Sequence, residues 1–325
     1  MNLENKRILF IGPKFFDYEK KIIFSLEKRG ALVDFFPEKV NGPFYGFCLN
    51  YFKYIALFLE KKHLNNIIVK MKSSYDIVFL IRGEIITEAF MKNIKKRFPA
   101  AIYVMYQWDS QLNNSNFLKL IKYFDKVTTF DKIDAINLGL DYLPLFYIDD
   151  YVNINLDKER VYDLVFFGSY HGDRLNVLKG IIKEANRIKI VMHSFLYIPK
   201  VKLLRLLVFR KISFSDIQYL STKKITSAEI LHFYKKTKAV LDIESNGQNG
   251  LTIRTFEVLS AGLKLITTNT NIKDEDFFNP NRIDVIDRKQ ILLNVDFFSV
   301  NIKQFNMKKY SLENWLDYIF EVEIK

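Results

Sequence analysis

The chain has a single cysteine, Cys48, among 325 residues, which excludes an internal disulfide framework and any cysteine-based zinc site. Its four histidines are scattered, without the spacing of H-E-x-x-H or any comparable ligand set, so no structural metal is expected. No run of about 18 uncharged apolar residues occurs, so no membrane-spanning helix is expected. The opening Met1–Arg7 is polar and runs straight into a strand pattern, which gives no sign of a signal peptide. Together these absences point to a reducing cytoplasm. No period repeats along the chain. RNP, helix-turn-helix and finger motifs are also missing, which argues against nucleic acid as a partner.

What is present is a core-forming composition, 49% hydrophobic and 26% charged, with a formal net charge of +12. That charge favours phosphorylated ligands or an anionic membrane surface. The length suits two domains of about 150 residues each. The expected division is 1–150, then 151–310, with a last helix in 311–325.

One stretch organises the rest. Lys238–Ile243 and Leu263–Thr267 are short apolar runs bounded by turn residues and read as buried strands. Between them a helix is expected, with Thr252 as its N-cap and Gly262 just past its end. Ile253, Phe256 and Leu259 form an apolar stripe, while Arg254 and Glu257 share another face. A strand, a glycine-containing loop (Ser245–Gly250), a helix start and a return strand make a βαβ unit, whose loop lies where ligands bind in open α/β sheets. Arginine at a helix start suits a phosphate and glutamate suits a sugar hydroxyl. The plainer alternative is a solvent-facing Arg/Glu pair.

The residues Arg254-Thr255-Phe256-Glu257, followed by Ser260-Ala261-Gly262 and a strand, resemble the donor-site helix of GT-B glycosyltransferases, in particular the CgeB-like group. The succession of strand ends at Gln107–Ser110, Phe130-Asp131 and Leu143–Phe146 resembles the first half of the same group and of capsule or lipopolysaccharide sugar transferases. The resemblance implies two Rossmann-like domains facing each other across a cleft, the second holding a nucleotide sugar and the first an acceptor. It implies that Arg254 contacts phosphate and Glu257 the ribose, with Asn249, Gly250, Leu251 and Thr252 lining the donor. One departure stands out. The large retaining families carry an acidic residue eight positions before this glutamate, where this chain has Asn249, which leaves the stereochemistry open.

In chain order, Arg7–Gly12 reads as a strand and Tyr18–Arg29 as a helix. The loop between them lacks the later glycines of G-x-G-x-x-G, against a dinucleotide site in the first domain. Asp17 there is a candidate base, with helix capping as its alternative. Phe44–Leu59, with seven aromatics, reads as one helix packed in the core. The alternative is an exposed surface that meets a lipid-linked acceptor. A strand over Tyr75–Ile81 ends at Arg82 and Glu84, and one over Ala100–Tyr106 ends at Trp108 and Asp109. These are acceptor-side candidates, with Trp108 offering a stacking face and a carboxylate serving as base. Asp109, Glu84 and Asp17 are the candidate bases in that order.

Asp149–Arg160 reads as a linker. After a strand over Asp163–Phe167, Gly168, Ser169 and Arg174 suit an anion, and the GT-B resemblance places this loop at the donor diphosphate. Arg187–His193 reads as a strand. Lys200, Lys202, Arg205, Arg210 and Lys211 flank leucines in a basic amphipathic segment suited to an anionic membrane. Glu244 is expected to orient the donor sugar. The resulting expectation is a metal-independent glycosyltransferase without a cofactor. It takes a nucleotide-sugar donor and a glycan or lipid-linked glycan acceptor, and sits peripherally on the cytoplasmic face of the inner membrane. The alternatives are a sugar-nucleotide epimerase of the same fold and a non-catalytic membrane- or polysaccharide-binding protein.

Overall fold

The computed structural model of the chain describes residues 3–321 apart from residues 153, 158 and 301–304. Its contacts divide it into two units, one of residues up to Pro144 with the chain from Leu312 onward, the other Leu145–Ser311. Each is built around one six-stranded sheet whose strands all pair in parallel.

The first unit runs β1 (Arg7–Gly12), α1 (Tyr18–Lys28), β2 (Leu32–Pro37), α2 (Pro43–Tyr51), α3 (Lys53–Lys70) and β3 (Ile77–Ile81). It continues with α4 (Glu88–Arg97), β4 (Ile102–Gln107), β5 (Lys126–Thr129), α5 (Lys132–Leu138) and the short β6 (Asp141–Tyr142). The strand order is β2-β1-β3-β4-β5-β6. β1 and β3 are nearly continuous apolar runs because helices cover both faces of a parallel sheet. Thr87 and Asp131 cap α4 and α5 by accepting from backbone N–H groups of the first turn.

The second unit runs β7 (Tyr162–Ser169), α6 (Arg174–Arg187), β8 (Met192–Tyr197), α7 (Lys200–Val208), β9 (Leu220–Ser221), α8 (Ser227–Lys235) and β10 (Thr237–Asp242). It closes with α9 (Ile253–Ser260), β11 (Lys264–Thr267), β12 (Ile283–Val285) and α10 (Val295–Ser299). Its order, β12-β11-β10-β7-β8-β9, is the 3-2-1-4-5-6 arrangement of a doubly wound sheet. A full capping box, Thr226 with Glu229, starts α8. Gly262, at φ +75°, ends the α9 turn in a conformation that a side chain would strain.

The last helix, α11 (Leu312–Phe320), belongs to the first unit. Its buried Trp315 ring packs edge-on against Tyr106, and Phe320 against Phe79. Arg29, after α1, binds Glu313 and Asp317 and so clasps α11 to α1.

Three sequence expectations are corrected. The helix α6 extends through Arg187, and the strand expected over Arg187–His193 starts only at Met192. Phe44–Leu59 is not one core helix. The chain breaks at Phe52 (φ −137°, ψ 66°), and α2 and α3 meet over a small cluster of Tyr45, Cys48 and Ala56 while most of the other aromatics face outward. Aromatic composition alone does not say which face is covered. Asp149–Arg160 is not a free linker, since Tyr151 is buried, Asp157 N–H donates to the Lys235 carbonyl and Arg160 donates to that of Thr237.

Candidate functional site

In the second sheet the strand order reverses between β7 and β10, which marks the crevice outside their carboxyl ends as the ligand position. Gly168 is the last residue but one of β7 there. A Cβ on it would stand 2.7 Å from the Phe166 ring and 3.5 Å from Arg174 Cδ, so the close approach needs glycine. Arg174, at the start of α6, donates to the carbonyls of Ser169 and Ile243, each at 2.8 Å, and ties the two loops together across the switch point. Its burial pushes the guanidinium pKa down.

Glu244, just past β10, is buried. It accepts from Thr268 Oγ1 at 2.5 Å and from Arg288 Nε at 3.1 Å. Burial raises its pKa against these donors. Arg288, in the loop after β12, also grips Asp173 at 2.8 Å. Asp242, likewise raised by burial, accepts from Thr252 Oγ1 at 2.6 Å. Thr252 therefore holds the N-cap position of α9 without capping it, because its hydroxyl is turned to Asp242. The Thr252 side chain makes no cap hydrogen bond to this helix start. The preceding loop is pinned from outside. Asn269 Nδ2 donates to the carbonyls of Asn249 (3.2 Å) and Gly250 (3.3 Å), Asn271 Nδ2 donates to Asn249 (3.0 Å), and Leu251 is buried.

Arg254 and Glu257 do share a face, with Nη1 and Oε2 3.3 Å apart, but that face is not solvent. Arg254 also donates to the Tyr234 hydroxyl at 2.8 Å, and its side chain is 18% exposed against 4% for that of Glu257. Burial, then the Glu257 charge, pushes up the pKa of the neighbouring Tyr151 hydroxyl. The site thus brings together Gly168, Ser169, Arg174, Glu244 and the start of α9 around a helix N-terminus that Thr252 does not cap, a setting that can receive an anion.

In the first sheet the order reverses between β1 and β3. Arg82, past β3, is a non-glycine residue at φ +74°, followed by Gly83 at +72°. Gln107 Nε2 and Asn114 Nδ2 each donate to the Arg82 carbonyl at 2.9 Å and hold this turn. The guanidinium lies among three carboxylates: Asp109 at 2.7 Å, Glu84, and Glu38 at 3.7 Å. Lys39 reaches Glu84 at 2.5 Å. Glu38 is fully buried and accepts from the Glu84 N–H at 2.9 Å. Burial raises its carboxyl pKa to about 7, against the pull of Arg82. Trp108 packs edge-on to Phe15 at 6.1 Å. Asp17 stands apart from this cluster. It is at φ +62°, makes no side-chain cap, and pairs on the surface with Lys20 at 2.7 Å, so the capping role is corrected.

The basic segment of the second unit splits by face. Leu203, Leu206 and Leu207 pack on the core, while Val201, Leu204 and Val208 are exposed beside Lys200, Lys202, Arg205, Arg210 and Lys211. Lys202 is partly committed to the Tyr170 carbonyl, at 3.2 Å. Among the described residues no helix is long and apolar enough to cross a membrane, and no group of three or more His, Cys, Asp or Glu is placed to hold a metal ion.

Sequence reading missed Arg288, Asn269 and Glu38. Arg288 and Glu38 each follow closely on a strand of their sheet, β12 and β2, so a rule naming every charged strand-end residue would have found them. Asn269 carries no such signal, because its role lies in two carbonyls about twenty residues earlier.

The comparisons with known proteins agree with this fold. A glycosyl transferase-like family matches residues 200–295. No curated protein matches the sequence. Among solved structures, the chain resembles the lipopolysaccharide outer core galactosyltransferase WaaB in its apo form, with 14% identity, 97% of this chain and 96% of that one covered, and a TM-score of 0.52. It also resembles Methanocaldococcus jannaschii UDP-GlcNAc 2-epimerase in complex with UDP-GlcNAc and UDP (11%, 98% and 93%, 0.53). Anabaena HepE in complex with UDP and glucose is a third such structure (10%, 98% and 95%, 0.53). The chain has the GT-B fold and carries a glycosyl transferase-like domain within its second unit.

Proposed function

We propose that the chain is a glycosyltransferase that moves a sugar from a nucleotide-sugar donor, held by the second unit, to a cell-surface glycan acceptor. The acceptor class is lipopolysaccharide core, O-antigen or capsule, and the reaction runs at the cytoplasmic face of the inner membrane, where the basic face of α7 assists docking. The observation that carries this reading is the convergence of Arg174, Arg254 and Arg288 with the start of α9, which Thr252 does not cap, at the switch point of a 3-2-1-4-5-6 sheet. Fixed cations and a helix N-terminus stabilise a leaving diphosphate without a metal. Similarity to structures that hold UDP, or UDP-GlcNAc and UDP, supports a nucleotide-sugar donor. Asp109, beside Trp108, is the proposed base that takes the proton of the acceptor hydroxyl.

A thermal-shift panel of nucleoside diphosphates and their sugars, with and without chelator, tests this reading. A ligand that binds only the folded state raises the melting temperature. Stabilisation by one nucleotide, unaffected by chelator and lost in Arg254→Ala, is the expected result. No response to any nucleotide overturns the assignment. An epimerase is the second reading, because the M. jannaschii 2-epimerase matches the fold as well as the transferases do. It is distinguished by turnover of the nucleotide sugar to an isomer with no acceptor present.

A further inference from the structure

The α2–α3 hairpin carries large apolar side chains that are exposed among the described residues. Phe44, Phe47 and Tyr51 lie at helical spacing on α2 and are 62%, 51% and 58% exposed. On α3, Tyr54, Leu57 and Phe58 are exposed as well, at 90%, 59% and 65%. Exposed large apolar side chains gathered on one hairpin are the kind of surface that marks an interaction site. The inner face explains how the hairpin stands without them, since Tyr45, Cys48 and Ala56 form its own small core and the Tyr45 hydroxyl donates to Glu60 at 2.5 Å.

The charge around the patch selects the occupant. α2 contains no charged residue. The exposed charges flanking the aromatics are Lys53, Lys61 and Lys62, with no ion-pair partner for any of them among the described residues. The single acid of the hairpin, Glu60, is taken by Tyr45. Phenylalanines that enter an acyl boundary, tyrosines at headgroup level and lysines at the rim are the elements of an interfacial anchor on anionic lipid. A protein partner with an apolar patch would not need the lysines. The patch also adjoins a mainly apolar groove of about 450 Å³ between α3 and the start of α4, which Leu57 borders together with Leu64, Ile68, Ile85 and Phe90.

We infer that the outer face of the α2–α3 hairpin is an interfacial membrane-docking surface that inserts its aromatics into an anionic phospholipid bilayer. This rests on the membrane-face location in the proposed function and adds the surface that docks, while its test stays separate from that of glycosyl transfer. Docking is read without any donor, and donor binding is read without any vesicle.

The test is co-sedimentation of the full chain with vesicles of phosphatidylcholine alone and of phosphatidylcholine with phosphatidylglycerol. The expected result is binding to the mixed vesicles that falls at least tenfold in a Phe47→Ser, Tyr54→Ser, Phe58→Ser variant whose melting temperature matches the wild type. Should that variant fold poorly, Tyr54→Trp gives an independent reading, with an emission blue shift on the mixed vesicles. A Lys202→Glu, Arg205→Glu variant of α7 should retain more binding than the aromatic variant. Equal binding by the aromatic variant and the wild type, or no blue shift, overturns the inference. So does a wild type that ignores vesicles and self-associates through this face, which would make it an interface between copies.

Discussion

The two switch points share a topology and differ in how their arginines are held. In the second unit Arg174 and Arg288 donate to strand-end carbonyls and Arg254 to a buried tyrosine, so each guanidinium is fixed by hydrogen bonds to the scaffold. In the first unit Arg82 is surrounded by Glu38, Glu84 and Asp109, and buried atoms of Arg82, Glu38 and Glu84 lack well-formed hydrogen bonds. A fixed set of donors is what stabilising a charged leaving group requires, since no reorganisation is then needed during reaction. A carboxylate cluster around one cation is a place where a proton can be taken up. Raised carboxyls occur at both sheet ends, Glu38 in the first unit and Asp242 and Glu244 in the second, so the two ends differ in how their arginines are held rather than in whether a proton can be taken up.

The comparison breaks most visibly at Arg254. Arg254→Ala should abolish nucleotide stabilisation and cost about 3–5 kcal/mol in denaturant unfolding, because Glu257 is left as a buried charge without its cation. Arg254→Lys should recover only part of either, as lysine cannot serve Tyr234 and Glu257 with one planar fork. Asp109→Asn should lower kcat by about 10²–10⁴-fold while leaving the nucleotide thermal shift intact. Equal losses of both would mean that the two units do not divide the labour as proposed.

The titratable character of the first unit has its own test. The Glu38 carboxyl is raised from 4.5 to about 7, so the folded state holds a proton there that the unfolded state has released. Its contribution to stability is full below about 4.5 and is lost as pH rises through about 7. Glu38→Gln should therefore gain on the wild type between about pH 5 and pH 8, by at most about 3 kcal/mol, in urea titrations at the two pH values. Asn269→Ala, which removes one donor from each of the carbonyls of Asn249 and Gly250, should weaken nucleotide binding by about 1 kcal/mol in a calorimetric titration. The smallest effect belongs to Asp17→Asn. It should change activity less than about twofold, because the carboxylate is exposed and pairs on the surface with Lys20.

Much of this was readable beforehand for a definite reason. Strands such as Arg7–Gly12 and the run ending at Ile81 are buried on both faces, so their apolar runs are unbroken and their ends mark the functional edge. The α9 segment was readable because a glycine stop, an apolar stripe and an i,i+3 ion pair agree with one another. What was not readable depends on partners far along the chain. Glu38 gains its meaning from an arginine 44 residues later and Arg288 from an aspartate 115 residues earlier. The outward face of α2 and α3 was hidden for another reason, since a helix that is apolar nearly all round looks the same in sequence whether it is covered or bare.

The place of α11 in the first unit has a consequence for synthesis. The ribosome completes β3 and β4 early, yet Trp315 and Phe320, which lie against Tyr106 and Phe79, are added only after the whole of the second unit. A nascent chain therefore carries an uncovered sheet face for the time taken to translate roughly half of the protein, about ten to thirty seconds at ordinary elongation rates. The first unit begins to form first and finishes last. A ribosome that stalls late, or a stop codon before Leu312, leaves a fully made second unit attached to a first one that has no lid over its aromatic sheet.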